Sequence, residues 1–279
     1  MRFGDYHVER RIVQLWESRE NLSSELEVAV EAAEAAGEVL RDSFAKRLDV
    51  EYKGEAELVT EADKKAEQKI KEVLQEAFPT HGMLTEESGE LEGEGDARWI
   101  VDPLDGTTNY VHGVPFFSTS IALEREDEVV VGVVHDPFAE ETYVAERGGG
   151  ATLNGEPIAV SDTDEPGRAL LGTSYPDDWE EIPMAIELFE RFTNLARGMR
   201  RLGSGALDLC YVAVGRLDGC YEQGFSAWDV AAGILILEEA GGEATNYRGG
   251  ELDFEDKGLV ASNRLLHPSL VDITSSDGS

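Results

Sequence analysis

The sequence predicts an α/β (α+β) protein built as a layered αβαβα sandwich, with an antiparallel N-terminal sheet and a mixed C-terminal sheet. Three observations lead there. Two early stretches carry apolar residues at helical spacing, a middle stretch breaks into short β-rich runs between turn signals, and the last third alternates strand and helix patterns. A chain of 279 residues can bury a large core, as two subdomains or one large unit.

Taken in order, residues 1–22 are a charged leader in which Val8, Ile12, Leu15 and Trp16 share one helical face, either an extra amphipathic helix or an extension. From Ser23 or Ser24 to about Phe44, the pattern Leu26, Val30, Ala33, Val39, Leu40 predicts a longer helix, and a second runs from near Asp63 to Phe78, closed by Pro79. Trp99–Val101, Ser118–Leu123, Val129–Val134 and Thr142–Ala145 are predicted strands, and Asn154-Gly155 is a hairpin dipeptide. A polar stretch, Ser161–Gly167, divides a 23–165 α+β subdomain from a 166–279 α/β subdomain. Beyond it, strands are predicted at Ala169–Thr173, Gly219–Glu222 and Gly258–Ala261, and helices at Met184–Arg197, Gly205–Val214, Ala227–Ala240 and Leu265–Ile273.

Charge narrows the partners. Asp and Glu number 58 against 24 Lys and Arg, a formal net charge of −34, which disfavours nucleic acid and anionic membranes. Only seven of the basic residues are Lys, and a folded chain this acidic and Lys-poor resembles proteins of salt-loving organisms, in which molar salt screens like charges within a few ångströms. Cys210 and Cys220 lie in apolar surroundings without CxxC spacing, as expected of buried, reduced thiols. The first residues lack the apolar run of a secretory signal and no stretch is apolar enough to span a bilayer, so a cytoplasmic location is expected.

Four acidic segments carry the chemistry. In Trp99-Ile100-Val101-Asp102-Pro103-Leu104-Asp105-Gly106-Thr107-Thr108-Asn109, an apolar strand ends in two carboxylates three residues apart, just before Gly and two hydroxyls. Asp102 and Asp105 there suit a pair of hard cations, and Gly106 and Thr107 can offer backbone N–H groups to a phosphate; the plainer role of Asp-Pro and Asp-Gly is to form turns. Asp229 stands at the head of the helix Trp228-Asp229-Val230-Ala231-Ala232-Gly233, whose small residues permit close approach of another backbone. Its plainer role is to complete a capping box with Ser226. Glu86 in Thr85-Glu86-Glu87-Ser88-Gly89 and Asp63 in Leu58-Val59-Thr60-Glu61-Ala62-Asp63 also have plain roles, as a solvated loop charge and a second capping box.

In combination, these four ordered segments resemble the inositol monophosphatase family, part of the superfamily of lithium-sensitive, magnesium-dependent phosphatases that includes fructose-1,6-bisphosphatases; the likeness covers about residues 24–272. The resemblance implies a phosphomonoesterase that uses two or three Mg²⁺ ions and acts on inositol-1-phosphate or a related small polyol or sugar phosphate. It also implies a homodimer. By similarity, Glu86, Asp102 and the Leu104 carbonyl hold a first ion, Asp102, Asp105 and Asp229 a second, and a third, weaker one leans on Glu86. Thr107, hydrogen-bonded to Asp63 with Glu86 adjacent, orients and deprotonates the attacking water, and the N–H groups of Gly106 and Thr107 hold phosphate. Lys53 matches a lysine near the metal site, Gly203, Ser204 and Gly205 match the segment that contacts the substrate ring, and Glu222 matches an acceptor for a ring hydroxyl.

One position departs from the pattern. Ser226 stands where inositol-preferring animal enzymes carry His, which puts strict inositol preference in doubt and leaves fructose-1,6-bisphosphatase activity, alone or alongside, as the nearest rival. A bisphosphate needs basic residues for its second phosphate, with Arg200, Arg201 and Arg216 as candidates; an adenosine 3′,5′-bisphosphate phosphatase is more distant. A non-catalytic protein-binding scaffold is the alternative from another class.

Overall fold

The structure is a computed structural model that describes residues 23–44, 50–52, 58–176 and 180–275; the expected leader helix and Lys53 lie outside them. The first helix, α1, spans Ser24–Ser43 and starts where the Ser23 hydroxyl accepts the Leu26 N–H at 3.3 Å. Its buried face, Leu26, Ala29, Val30, Ala33, Ala36, Gly37 and Leu40, follows the helical repeat. Helix α2, Glu61–Ala77, begins two residues before Asp63 because Thr60 is its cap: the Thr60 hydroxyl accepts the Ala62 N–H at 3.0 Å, and Asp63 Oδ2 accepts the Thr60 N–H at 2.7 Å. The others are α3 (Thr107–Val111), α4 (Ile182–Leu195), α5 (Gly205–Ala213), α6 (Ala227–Glu239) and α7 (His267–Ser275).

A small ribbon pairs β1 (Val50–Tyr52) with β2 (Leu58–Thr60). The large sheet holds β3 (Gly82–Thr85), β4 (Gly89–Leu91), β5 (Ala97–Asp105), β6 (Ser118–Arg125), β7 (Glu128–Asp136), β8 (Glu141–Glu146), β9 (Gly150–Leu153) and β10 (Glu156–Pro157), in the order β10-β9-β8-β7-β6-β5-β3-β4. It is antiparallel at every pair but one, which corrects the expectation of an antiparallel sheet: β3 and β5 run parallel. The cause is the β3–β4 hairpin at the sheet edge, after which the chain returns to start β5 on the other side of β3. Met83-Leu84 is too short an apolar run to announce that strand. Asn154 and Gly155, both at positive φ, close the expected β9–β10 hairpin.

The second sheet contains β11 (Leu170–Thr173), β12 (Gly198–Arg200), β13 (Gly219–Gln223), β14 (Gly242–Asn246) and β15 (Gly258–Asn263), in the order β12-β11-β13-β15-β14. β11 runs parallel to β12 and β13, whereas β15 is antiparallel to β13 and β14, so this sheet is mixed. Helix α4 stops at Leu195, two residues short of its expected end, and the chain crosses over to β12.

The strand period sorts the layers. Trp99, Val101, Ile121, Leu123, Val131 and Val133 face α1 and α2, whereas Ile100, Ala122 and Val134 face α5 and α6. The middle helices α5 and α6 are apolar nearly all round because they lie between two sheets, and they bury the free thiols Cys210 and Cys220 with them. On the outer face of the second sheet, Leu188, Phe192 and Leu270 of α4 and α7 cover Tyr221 and Val260, with Phe192 stacked on Tyr221 at 4.3 Å. The layers are therefore helix, sheet, helix, sheet, helix, and no described helix is long and apolar enough to cross a membrane.

Candidate active site

Strand β5 leaves the core as apolar residues give way to acid. Two carboxylates three residues apart on a regular strand would face opposite sides. Here the β5–β6 register is irregular between Asp102 and Asp105, and both line one cavity of about 610 Å³. Asp102 is buried, and its Oδ1 accepts the Leu104 N–H at 2.9 Å. The corner then turns through Gly106 at φ +95°, where an added Cβ would lie 3.0 Å from the Gly203 carbonyl oxygen. Only glycine fits this handedness and space.

Three other segments reach the same cavity. Glu86 stands at the β3–β4 turn, its N–H bonded to the Val101 carbonyl at 3.1 Å. Asp229, in the first turn of α6, lines the cavity while its Oδ2 accepts the Ser226 N–H at 2.7 Å, so it is both a cap and a cavity carboxylate. Asp63 lies behind the wall, fully buried: Oδ2 caps α2, and Oδ1 meets the Thr107 hydroxyl at 3.4 Å. That hydroxyl also lies 3.0 Å from the Leu104 carbonyl oxygen.

The electrostatics of this cluster are costly without a cation. Burial pushes the Asp102 pKa well above the carboxylate range, and the charges of Glu86, Asp105 and Asp229 push it further. Burial lifts Asp105 to about 6, although the Ser204 hydroxyl at 2.5 Å and the Ala206 N–H at 2.9 Å both bond its Oδ2. Among the described residues no three His, Cys, Asp or Glu side chains are drawn into a closed ligand group. Asp102, Asp105 and Asp229 each have an oxygen committed to a protein donor instead. Five carboxylates, those of Glu86, Asp102, Asp105, Glu222 and Asp229, line the cavity with the Leu104 segment and without any His, Cys or Met, which suits a hard divalent cation better than a softer metal.

More of the lining comes from the second half of the chain. Glu222, at the end of β13, is buried, accepts a hydrogen bond from the Ser174 hydroxyl, and is pushed up to about 7 by burial. Gly203 and Gly205 line the cavity beside it. Ser204, expected to contact substrate, is not among the residues lining the cavity: it is buried, gives its hydroxyl to Asp105 and accepts the Leu207 N–H at 3.3 Å as the cap of α5. Its neighbours need a helix start there, and the same geometry turns Ser204 toward Asp105. Lys53 lies outside the described residues.

Other residues complete the lining, and of these Ser174 and Tyr175 were not singled out from the sequence. Ser174 and Tyr175 follow β11 directly, and Arg201 stacks on the Tyr175 ring, 4.6 Å from its centroid. Asn109 Nδ2 donates to the carbonyls of Phe116 and Leu202, each at 2.8 Å, tying the aspartate corner to the Leu202–Gly203 loop. A strand exit followed by polar residues was the available clue for Ser174, and the Asn closing the aspartate segment for Asn109.

Comparison with known proteins identifies the family. The family model described as the inositol monophosphatase family matches residues 21–278. An inositol-1-monophosphatase of Rhizobium meliloti is 44% identical over 256 residues, covering 90% of this chain and 96% of that protein. A Nus factor SuhB of Pasteurella multocida is 42% identical over 241 residues, covering 85% of this chain and 90% of its own. Among solved structures, the extragenic suppressor protein suhB of Bartonella henselae superposes with a TM-score of 0.89 at 40% identity, covering 92% of this chain and all of that one. An inositol monophosphatase from Anabaena (Nostoc) gives 0.82 at 42% identity, over 89% of this chain and 94% of that one. With its carboxylate segments gathered on one cavity and its likeness spanning nearly the whole sequence, the chain belongs to the inositol monophosphatase family, a family of phosphoric monoester hydrolases.

Proposed function

We propose that this protein is a Mg²⁺-dependent phosphomonoesterase that hydrolyses inositol-1-phosphate or a related small polyol or sugar phosphate. The observation that carries the reading is the convergence of Glu86, Asp102, Asp105 and Asp229 on one cavity that Glu222 also lines. A phosphate dianion would be repelled by such a cavity unless cations offset its charge. Glu86, Asp102 and the Leu104 carbonyl would hold one Mg²⁺, Asp102, Asp105 and Asp229 a second, and Glu86 would serve a weaker third. When bound, the ions supply charge neutralisation and acidify water.

The chain's own groups do the rest. The Thr107 hydroxyl, between Asp63 Oδ1 and the Leu104 carbonyl, orients the attacking water, and Asp63 takes up the proton. The N–H groups of Gly106 and Thr107 hold phosphate oxygens, and Glu222 accepts a substrate hydroxyl, with Gly203 and Gly205 leaving room for the ring. We further propose a cytoplasmic homodimer, to be checked by light scattering in molar KCl.

Arg201 favours a second reading. Of the three arginines considered, Arg216 is engaged by Glu141 at 2.5 and 2.6 Å and Arg200 is exposed on the Met199 carbonyl, whereas Arg201 lines the cavity. A cation there, steadied by Tyr175, suits a second anionic group such as that of fructose-1,6-bisphosphate. Phosphate release from both substrates, titrated with Mg²⁺ and probed with Li⁺, tests the two readings. Arg201→Ala should raise KM for the bisphosphate about tenfold, the loss of about 1.4 kcal/mol, and leave the monophosphate within about twofold. No release from either substrate at any Mg²⁺ concentration would refute the hydrolase reading and favour the scaffold.

A further inference from the structure

The turn that presents Glu86 has backbone donors that its own hairpin cannot satisfy. Thr85 pairs with Gly89 at the end of the β3–β4 ladder, which leaves residues 86–88 outside it. One acceptor is the Val101 carbonyl, which takes the Glu86 N–H at 3.1 Å. Another is the Thr85 hydroxyl, 3.2 Å from the Ser88 nitrogen, and the rest come from a distant helix. Glu67 Oε2 accepts the N–H groups of Glu87 at 3.1 Å and Ser88 at 3.2 Å, and Oε1 accepts the Ser88 hydroxyl.

Glu67 is built for this contact. It lies one helical turn after Asp63 on α2, is 4% exposed, and receives the Lys71 ammonium at 2.6 Å on Oε1. Burial by itself would raise its pKa, but the hydrogen bonds from Lys71, Ser88 and Thr85 outweigh it and hold the carboxyl below its usual range. A buried anion with its acceptor capacity filled holds a turn more tightly than a neutral side chain does. Without Glu67, the three-residue turn ending at Gly89, φ +73°, would keep only the Thr85 hydroxyl, at 3.2 Å, as a side-chain acceptor for the Ser88 N–H.

We propose that Glu67 is a positioning residue whose carboxylate clamps the Glu86–Ser88 turn, so that Glu86 meets the cavity in the arrangement divalent-cation binding requires. One face of α2 thereby aligns two arms of the site: Asp63 against Thr107, and Glu67 against the turn. This rests on the metal-dependent reading above.

The test is Glu67→Gln, which keeps the volume and one acceptor but loses the charge. Mg²⁺ is titrated calorimetrically, and amide exchange of Glu87 and Ser88 is followed without substrate. The Mg²⁺ dissociation constant should rise about tenfold, within the range found for residues that orient metal ligands. Protection of the two amides should fall by a similar factor, while kcat at saturating Mg²⁺ stays within about threefold of the native value. Ser88→Ala, which removes one hydroxyl, should shift both readouts about twofold to threefold in the same direction, and decides the matter if Glu67→Gln does not fold. Native Mg²⁺ affinity and native amide protection in the folded variant would overturn the proposal. An unaltered chain that binds no Mg²⁺ would instead overturn the reading on which it rests, with the amide protection still intact.

Discussion

At the scale of single residues, the site stores repulsion. Asp102 is buried among three other carboxylates, and each ionised neighbour makes its own ionisation harder. On the proposed role of Asp102 as a ligand to both ions, Asp102→Asn should slow hydrolysis by at least about 100-fold, since metal-ion catalysis supplies several kcal/mol of barrier lowering. In metal-free buffer the same change should raise Tm by about 2–4 °C, the equivalent of roughly 1 kcal/mol in a chain of this size. A calorimetric scan showing a lower Tm without metal would contradict the picture of mutual repulsion.

His135 carries a separate acid sensitivity. Burial, with Arg41 nearby, depresses its pKa to about 4, so the folded state holds it neutral against Thr142. The groups facing it are Arg41 and Gly37 from α1, Pro137 beyond its own strand, and Glu141 and Thr142 from β8. The unfolded chain binds the proton near pH 6.5, so stability is unaffected above that and falls as pH drops from about 6.5 to 4. The loss reaches on the order of 3 kcal/mol. His135→Gln should flatten urea-derived stability across that window; an unchanged slope would rule His135 out as its source.

At the scale of elements, small residues decide how closely layers approach. The expectation that Ala231, Ala232 and Gly233 admit another backbone is met at Ala232 against β7, while Gly233 makes room for a side chain of α5. A Cβ on Gly233 would lie 2.8 Å from Leu209 of α5, and Gly132 of β7 sits against the Ala232 carbonyl at the same distance from its own added Cβ. Helix α1 is seated in the same way, since a Cβ at Gly37 would come within 2.5 Å of the His135 ring. Gly37→Ala should thus destabilise by about 1–3 kcal/mol through overpacking, outweighing the gain of about 1 kcal/mol in helix propensity. Chemical denaturation measures the sign, and a more stable variant would show that α1 can shift to make room.

The elements also show where sequence reading stops. Capping chemistry and apolar period located α1, α2, α5 and α6 to within a few residues, because those signals act over a single turn. Strands β4, β12 and β14 escaped it, since three to five residues with little apolar content carry no period and are made strands by their neighbours in the sheet. Asp229 illustrates the limit within one residue: a cap and a cavity carboxylate look alike until the partner segments are in place.

At the scale of the whole molecule, a net charge of −34 opposes compaction. Ion pairs such as Arg98–Glu124 and Arg216–Glu141 offset little of it, because exposed pairs contribute at most about 1 kcal/mol each. The expected dependence on salt screening predicts that Tm climbs by several degrees as KCl rises from dilute to molar concentration. A salt-independent Tm would count against adaptation to a salt-rich environment.

What the amino-acid order determined by itself was the chemistry available: the acidic segments, the glycine corner after Asp105, the helices and the hairpin dipeptide. These depend on interactions a few residues long. Only the tertiary structure decided that Glu86, Asp102, Asp105 and Asp229 share a cavity with Glu222, that Ser204 turns to Asp105, and that Arg201 rests on Tyr175. Those meetings join residues up to well over a hundred positions apart. Their geometry follows from sheet order, a parallel crossover and a strand irregularity, which are set by packing of whole layers and leave no local trace.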